Sequence, residues 1–443
     1  MNLSENRSLK DFENNKNLQI KQRANSFYEF YCELKEKKHN NYRIVSKFGS
    51  SSNMRLIHPH TQEESNYISF VSNDYLGFTK HPKIIEAGKE ALDIFGSGAG
   101  SSPLIGGQSI LHENLEKKIA QFFKKEDAIT YTSGYAANTG TLLALLQTND
   151  LAILDMGVHT SVLEGCAHSN KKYFLHNDVE SLERILIQNT DKYCNKVIII
   201  DGVYSQDGDI APIKEMSKLA KEYGAFLIVD DAHGIGVLGE TGRGAIEMYD
   251  AFDDVDIITG TFSKTFGAVG GYAVANKEII TLLKYFAAAN IFSAAATPQA
   301  AATVIKAIDL IDTEPIWQSK LNSNIAYFKN GLDLLNIDYG KSASAIFPIM
   351  VRDEEKTKAI GKVLLDNGIY ANPILYPAVS RKQTRIRMSL LATHSQEQLD
   401  KTLNILEFVQ QGFGLSLRKN HYVSTEFEHY SVLKDDFALE SCN

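Results

Sequence analysis

Cysteine is scarce in this 443-residue sequence: four residues, Cys32, Cys166, Cys194 and Cys442, with no Cys-x-x-Cys pair among them. That argues against a disulfide framework or a thiolate-held metal, and the thiols read as free groups in a reducing compartment. The net charge is −8 and no long basic block interrupts the chain, so nucleic acid is not an expected partner. The residues from Met1 to Arg7 are polar, without the apolar core of a signal peptide. No apolar run reaches the length of a membrane span. Internal repeats and low-complexity segments are lacking too. These absences leave a cytoplasmic globular protein, 44% hydrophobic and 23% charged, long enough for a large core and more than one domain.

What the chain does have is an α/β rhythm. Apolar, β-rich runs occur at 128–131, 151–154, 197–200, 226–229, 255–258 and 271–275, and helical patterns such as 110–124 and 213–223 separate most of them. Near-continuous apolar strands imply a sheet buried on both faces and hence mostly parallel, with the helices as crossovers. After an Ala-rich helix at 298–310 the rhythm changes to helix, strand, helix, with further strands near Tyr370 and at 385–388 and a helix at 396–408. This reads as a smaller α+β unit. The first 40 residues, with Phe27, Tyr28, Phe30 and Tyr31, suit an N-terminal helix. His58-Pro59-His60 reads as a turn, since no third ligand lies nearby. The expected division is a helix and arm over 1–67, a large domain over 68–305, a small domain over 306–417 and a polar tail over 418–443.

The chemistry concentrates at strand ends. Lys264 sits in Gly260-Thr261-Phe262-Ser263-Lys264-Thr265-Phe266-Gly267, before a glycine-rich run and after an apolar strand. Asp230 closes the strand that leads into Asp231-Ala232-His233-Gly234. A lysine that can form a Schiff base and an acid that can pair with a pyridinium nitrogen are a protein's share of pyridoxal phosphate (PLP) chemistry. Alone, neither is specific, because Ser-Lys commonly marks a solvated loop and a strand-end Asp commonly caps a turn. Together, each closing a buried strand, they point to a site at the carboxyl ends of an open sheet. Ser133-Gly134-Tyr135 follows a strand and opens a helix, a terminus suited to phosphate. His159 could stack on a flat cofactor or be structural, and residues alone do not separate the two. His233 shares its loop with Asp230. Alternation puts Arg385 and Arg387 on one strand face, and a bidentate guanidinium is a natural carboxylate clamp.

With these residues in place, the chain resembles the α-oxoamine synthase family of fold-type I PLP enzymes over about residues 72–409. The likeness rests on Ser72-Asn73-Asp74-Tyr75-Leu76-Gly77, Gly96-Ser97-Gly98, Leu111-His112-Glu113-Asn114-Leu115-Glu116 and Ser133-Gly134-Tyr135-Ala136-Ala137-Asn138. It continues through Gly202-Val203-Tyr204-Ser205-Gln206-Asp207-Gly208-Asp209, Asp230-Asp231-Ala232-His233-Gly234 and Thr261-Phe262-Ser263-Lys264. The resemblance implies a large domain with a mostly parallel seven-stranded sheet and a smaller α+β C-terminal domain. It implies that Lys264 binds PLP covalently and later moves protons, that Asp230 pairs with the pyridinium nitrogen, and that His159 stacks on the ring. His233 and Ser205 would lie near the phenolic oxygen. Ser133, Thr261, Ser263 and the amides of Gly134 and Tyr135 would surround the phosphate, and Asn73 and Arg387 the substrate carboxylate. The implied substrates are a small amino acid and an acyl-CoA or acyl-carrier thioester, and the implied assembly is a homodimer.

The implied reaction is a decarboxylative Claisen-type condensation giving an α-amino ketone. Tyr370-Ala371-Asn372-Pro373 and Ile386-Arg387-Met388-Ser389 are similar to the serine palmitoyltransferase pattern, which favours serine and a long-chain donor. The Tyr75-Leu76-Gly77-Phe78 region is equally similar to 8-amino-7-oxononanoate synthase, which joins alanine to a pimeloyl thioester; a glycine C-acetyltransferase is a further alternative. Ser101-Ser102-Pro103-Leu104 and Ala287-Ala288-Ala289-Asn290 lack arginines that many members carry, which bears on how the acyl donor is held. A PLP transaminase would share Lys264 and Asp230 but use a keto acid. A silent partner subunit is disfavoured by the retained Lys264, Asp230 and His159.

Overall fold

A computed structural model describes residues 8–13, 18–39 and 41–418; the expected polar tail lies almost wholly outside them. Near the N-terminus, the helix Ile20–Glu36 carries the aromatic run. Phe30 stacks on Phe12 and Phe27 meets it edge-on. A hairpin follows, β1 (Asn53–Ile57) and β2 (Glu64–Ser69), with His58-Pro59-His60 in its turn. His58 Nδ1 accepts the His60 and Thr61 amides at 3.2 and 3.1 Å, so the imidazole serves the turn itself.

The main sheet has seven strands: β3 (Asp127–Tyr131), β4 (Leu151–Asp155), β5 (Asn170–Phe174), β6 (Lys196–Asp201), β7 (Phe226–Asp230), β8 (Ile257–Thr261) and β9 (Gly271–Ala275). Their spatial order is β3-β9-β8-β7-β6-β4-β5. Only β9 runs against its neighbours; the pairings among β5, β4, β6, β7 and β8 are parallel. Alternate residues feed two cores, one on each face. Leu151, Ile153, Ile198, Ile200, Leu227 and Val229 join one, while Ala152, Leu154, Val197, Ile199 and Ile228 join the other. That two-sided burial explains the unbroken apolar runs.

Two expectations shift. The strand expected at 255–258 begins two residues later, because Val255 and Asp256 belong to the turn before it. There the Asp256 carboxylate accepts the Leu227 amide at 2.7 Å. The polar edge strand β5, Asn-Lys-Lys-Tyr-Phe, has no apolar pattern and was not foreseen.

The C-terminal part contains β10 (Ile346–Met350), β11 (Ile369–Tyr370), β12 (Asn372–Ile374) and β13 (Arg385–Ser389). Strand β13 lies between β10 and β12, antiparallel to both. Strand β11 instead joins β2 in parallel, tying the hairpin to this part of the chain. The helix Pro298–Thr313 packs on the helices Pro82–Phe95 and Ile110–Phe122 beside the main sheet. Among the described residues no helix is long and apolar enough to cross a membrane.

Candidate active site

The carboxyl ends of the parallel strands open on a cavity of about 270 Å³. Asp201 and Asp230 are the last residues of β6 and β7, and Thr261 ends β8. Ser133, Gly134, Tyr135, His159, Ser205, Asp230, His233, Thr261, Ser263 and Lys264, all expected from the sequence, line it. Strand ends gather here because a parallel sheet brings all its carboxyl termini to one edge.

Lys264 lies three residues past β8, in a turn closed by the Gly267 amide donating to the Lys264 carbonyl at 2.9 Å. Gly267 has φ +68°, and a Cβ there would fall 2.8 Å from the Thr79 nitrogen, so the turn demands glycine. Burial pushes the Lys264 ammonium down to about 8; the Asp230 charge works against the shift and Arg387 works with it.

Asp230 is buried, with one hydrogen bond on each oxygen. Its Oδ1 accepts the Ala232 amide at 3.0 Å, and its Oδ2 accepts Asn138 Nδ2 at 2.6 Å. Asn138 also donates to Ser161 Oγ at 2.9 Å and accepts from Thr259 Oγ1 at 2.6 Å. His159 Nδ1 accepts the Ser161 backbone amide at 3.4 Å, capping the short helix Thr160–Gly165, and the Ser161 hydroxyl lies 2.7 Å from the same nitrogen, free to donate to it. The imidazole is therefore neutral, with its proton on Nε2. Burial lowers its pKa, against the pull of Asp230.

Ser133 caps the helix Gly134–Leu145, its Oγ accepting the Ala136 amide at 3.0 Å. This leaves the first helical amides, of Gly134 and Tyr135, without intrahelical acceptors at the cavity wall. Gly134 lies hard against β8, where a Cβ would sit 2.6 Å from Thr261 Cβ. The Thr261 hydroxyl donates to the Gly270 carbonyl at 3.0 Å and lies 2.8 Å from Ser263 Oγ.

Asn73 and Arg387 do not line this cavity; they form an adjoining network joined to it by Ser205 and His233. Arg387 is buried, and its Nε donates to the Ser205 carbonyl at 2.5 Å. Its other nitrogens reach Ser389 Oγ at 2.9 Å and Asn73 Oδ1 at 3.1 Å. Every acceptor is neutral. The Tyr75 hydroxyl stands 2.6 Å from His233 Nδ1 and 3.5 Å from Asn73 Oδ1. Burial pushes the Tyr75 phenol up to about 12 and holds His233 well below the usual imidazole range.

Asn138, Asp201 and Tyr75 have no role assigned from the sequence, and Arg385 has a strand face but no partner. Asn138 closes a motif quoted above, but its role depends on partners from β7, β8 and the helix after His159. Asp201 lines the cavity and accepts the His159 amide at 3.5 Å; burial, then the neighbouring Asp230 charge, raise its carboxyl well above the carboxylate range. Arg385 shares the face of Arg387, as alternation required. Its Nη1 pairs with Asp207 Oδ1 at 2.5 Å and donates to the Gln206 carbonyl at 3.0 Å.

The residues fit a flat, phosphate-bearing aldehyde: a depressed amine, a buried carboxylate, a neutral imidazole, and free amides at a helix start with no room for a side chain at Gly134. Among the described residues no cluster of His, Cys, Asp and Glu could hold a metal ion.

Comparison with known proteins agrees with this chemistry. Residues 65–406 match the model of the family described as aminotransferase class I and II. The chain is 40% identical over 343 residues to 8-amino-7-oxononanoate synthase 1 of Bacillus velezensis, covering 77% of this chain and 88% of that one. It is 38% identical over 338 residues to serine palmitoyltransferase of Sphingobacterium spiritivorum, covering 76% and 84%. A solved structure of serine palmitoyltransferase with PLP superposes with a TM-score of 0.84 at 30% identity, over 90% of this chain and all of that one. The chain belongs to the aminotransferase class I and II family, in its PLP-dependent α-oxoamine synthase branch.

Proposed function

We propose that this α-oxoamine synthase is a PLP-dependent C-acyltransferase that condenses a small amino acid with an acyl thioester, releasing carbon dioxide and leaving an α-amino ketone. One observation carries the reading: a lysine amine pushed down to about 8 shares a cavity with a buried, doubly hydrogen-bonded aspartate. Bound there, PLP supplies an electron sink for negative charge at the amino acid's α-carbon.

Asp230 would hold the proton on the ring nitrogen. Lys264 Nζ would anchor the aldehyde carbon and, once released, take and return the proton at the substrate α-carbon. The neutral His159 ring would cover one cofactor face, and His233 and Ser205 would flank the phenolic oxygen. Ser133, Thr261, Ser263 and the amides of Gly134 and Tyr135 would bind the phosphate. Arg387 and Asn73 would bind the substrate carboxylate. A guanidinium buried among neutral oxygens lacks a counter-charge, and an incoming carboxylate supplies it. The buried strand ends exclude water, which strengthens each of these polar contacts.

Serine with a long-chain acyl donor is the pairing we favour, supported by the 0.84 TM-score to serine palmitoyltransferase. The 8-amino-7-oxononanoate synthase reaction is the second reading, supported by the 40% identical relative. We also infer a homodimer. Phe292 and Ile105 are 85% and 80% exposed, and Val269 and Phe286 about 70%, more apolar exposure than a lone globule tends to carry. Light scattering on the purified protein tests this.

The functional test begins with PLP uptake. Borohydride should fix the cofactor's mass onto the peptide containing Lys264. Glycine, alanine and serine, offered one at a time, should then differ in which shifts the cofactor absorption, and thioesters of increasing chain length should reveal the donor. A protein that takes up no PLP would end the proposal.

A further inference from the structure

Behind the cavity lies a cluster that the reading above does not use. His176 stands two residues past β5, with Nδ1 2.8 Å from Asp155 Oδ1 and Nε2 2.9 Å from Asp209 Oδ2. Two carboxylates on one ring are satisfied only by the imidazolium, since the neutral form has a single N–H. Burial opposes that charge, but the hydrogen bonds to Asp155 and Asp209 outweigh it and push His176 up to about 10.

Each carboxylate belongs to a different wall of the cavity. Asp155 ends β4 and accepts the Gly157 amide at 2.6 Å, two residues before His159. Asp209 closes the turn after β6, where the Tyr204 amide donates to the Asp209 carbonyl at 3.1 Å and the Gly208 amide to the Tyr204 carbonyl at 2.8 Å. The Tyr204 ring meets His176 edge-on, centroids 4.3 Å apart. A Cβ on Gly157 would fall 2.8 Å from His176 Nδ1 and 3.0 Å from Tyr204 Cδ1, so the first wall closes directly on this pair. On its far side the turn presents Ser205, which lines the cavity and whose carbonyl receives Arg387 Nε. Arg385 and Ser344 hold the turn from the opposite side, through the Gln206 and Gly208 carbonyls at 3.0 and 2.8 Å.

We propose that His176 is a positioning residue: by bridging Asp155 and Asp209 it sets the spacing between the His159 loop and the Ser205 turn, and so aims Arg387 at the substrate carboxylate. The inference rests on the reading of Arg387 as the carboxylate clamp. Asn177 also bridges the pair, its amide donating to Asp155 Oδ2 at 2.8 Å and its Nδ2 to Asp209 Oδ2 at 2.9 Å, but it brings no charge. Without the imidazolium the two carboxylates keep only that neutral bridge and repel, and the Ser205 carbonyl moves off the guanidinium.

The test uses the full-length protein. Amino-acid dissociation constants come from the shift in cofactor absorption, and PLP dissociation constants from titrating cofactor-free protein. His176→Gln should weaken amino-acid binding about ten-fold, the scale of one mis-set charge-assisted hydrogen bond, with PLP affinity changed less than about three-fold. Asp209→Asn, the milder variant should the first fail to fold, should act in the same direction. Added to Arg387→Lys, His176→Gln should weaken binding no further, because both act through one contact. Unchanged amino-acid affinity in both His176→Gln and Asp209→Asn, or full additivity with Arg387→Lys, overturns the inference alone. Unchanged affinity in Arg387→Lys by itself overturns the clamp reading and takes the inference with it.

Discussion

Asn138 donates to Asp230 at 2.6 Å from a helix that starts on the opposite wall of the cavity. The bond fixes the carboxylate's orientation and also spends one of its lone pairs. Since Asn138 is itself held by Thr259 and Ser161, the acid is set by a chain of buried partners. Asn138→Ala should weaken PLP binding by roughly ten-fold or more, the usual cost of about 1.5–3 kcal/mol for losing a hydrogen bond to a charged group. Cofactor titration measures it. Asn138→Asp should do worse, by placing a second negative charge beside the first.

Which parts of this were legible in the sequence follows from the range of the interactions involved. Leu151 to Leu154 and Val197 to Ile200 announced themselves because burial on both faces leaves no room for polar residues. The acids and lysine at strand ends followed from sheet topology, and the Arg385–Arg387 face from the two-residue period. His176 could not be found that way. Its partners are 21 residues before it and 33 after it in sequence, and only the parallel pairing of β4 with β5 on one side and β6 on the other brings them together. Strand β5 escaped notice because an edge strand with one exposed flank needs no apolar pattern.

Lys264 sets a pH dependence. An ordinary lysine amine titrates near 10.4, whereas burial holds this one at about 8. Below 8 it is an ammonium with no lone pair for an aldehyde; above 8 it is a nucleophile. The rate at which cofactor-free protein forms a borohydride-trappable adduct with PLP should therefore rise with pH and level off above a midpoint of about 8. Asp230 supports the ammonium, so Asp230→Asn should move that midpoint lower still. A wild-type midpoint near that of free lysine would contradict the burial argument, and Lys264→Ala should give no adduct at any pH.

Gly134 tests the phosphate cradle sterically. A methyl group there would need to occupy space 2.6 Å from Thr261 Cβ and 2.9 Å from its hydroxyl, and β8 is too tightly packed to yield. Gly134→Ala should push the helix start away from Thr261. The strain, on the order of 1–3 kcal/mol, should appear as a ten-fold or greater loss of PLP affinity. Gly98→Ala is the control, because a Cβ at that glycine meets nothing within 4 Å, and it should leave affinity unchanged.

His394 makes stability depend on acid pH away from the active site. Its ring stacks on Phe70 with centroids 4.6 Å apart. Nδ1 accepts the Leu391 amide at 3.0 Å while Nε2 faces the Ser69 carbonyl at 3.0 Å. The neutral ring satisfies both contacts, and a proton on Nδ1 would break the first. Burial pushes the pKa down to about 4, against about 6.5 in the unfolded chain. Between those values the unfolded chain binds a proton that the folded chain refuses. The contribution is thus complete above about pH 6.5 and is lost as pH falls toward 4, a span worth on the order of 3 kcal/mol. His394→Asn should unfold at lower urea than wild type at pH 7, and the gap between the two should narrow steadily down to about pH 4.5, because only the wild type loses this contribution as acid is added. A gap that stays constant across that range would mean that the buried imidazole takes up its proton as readily in the folded protein as in water.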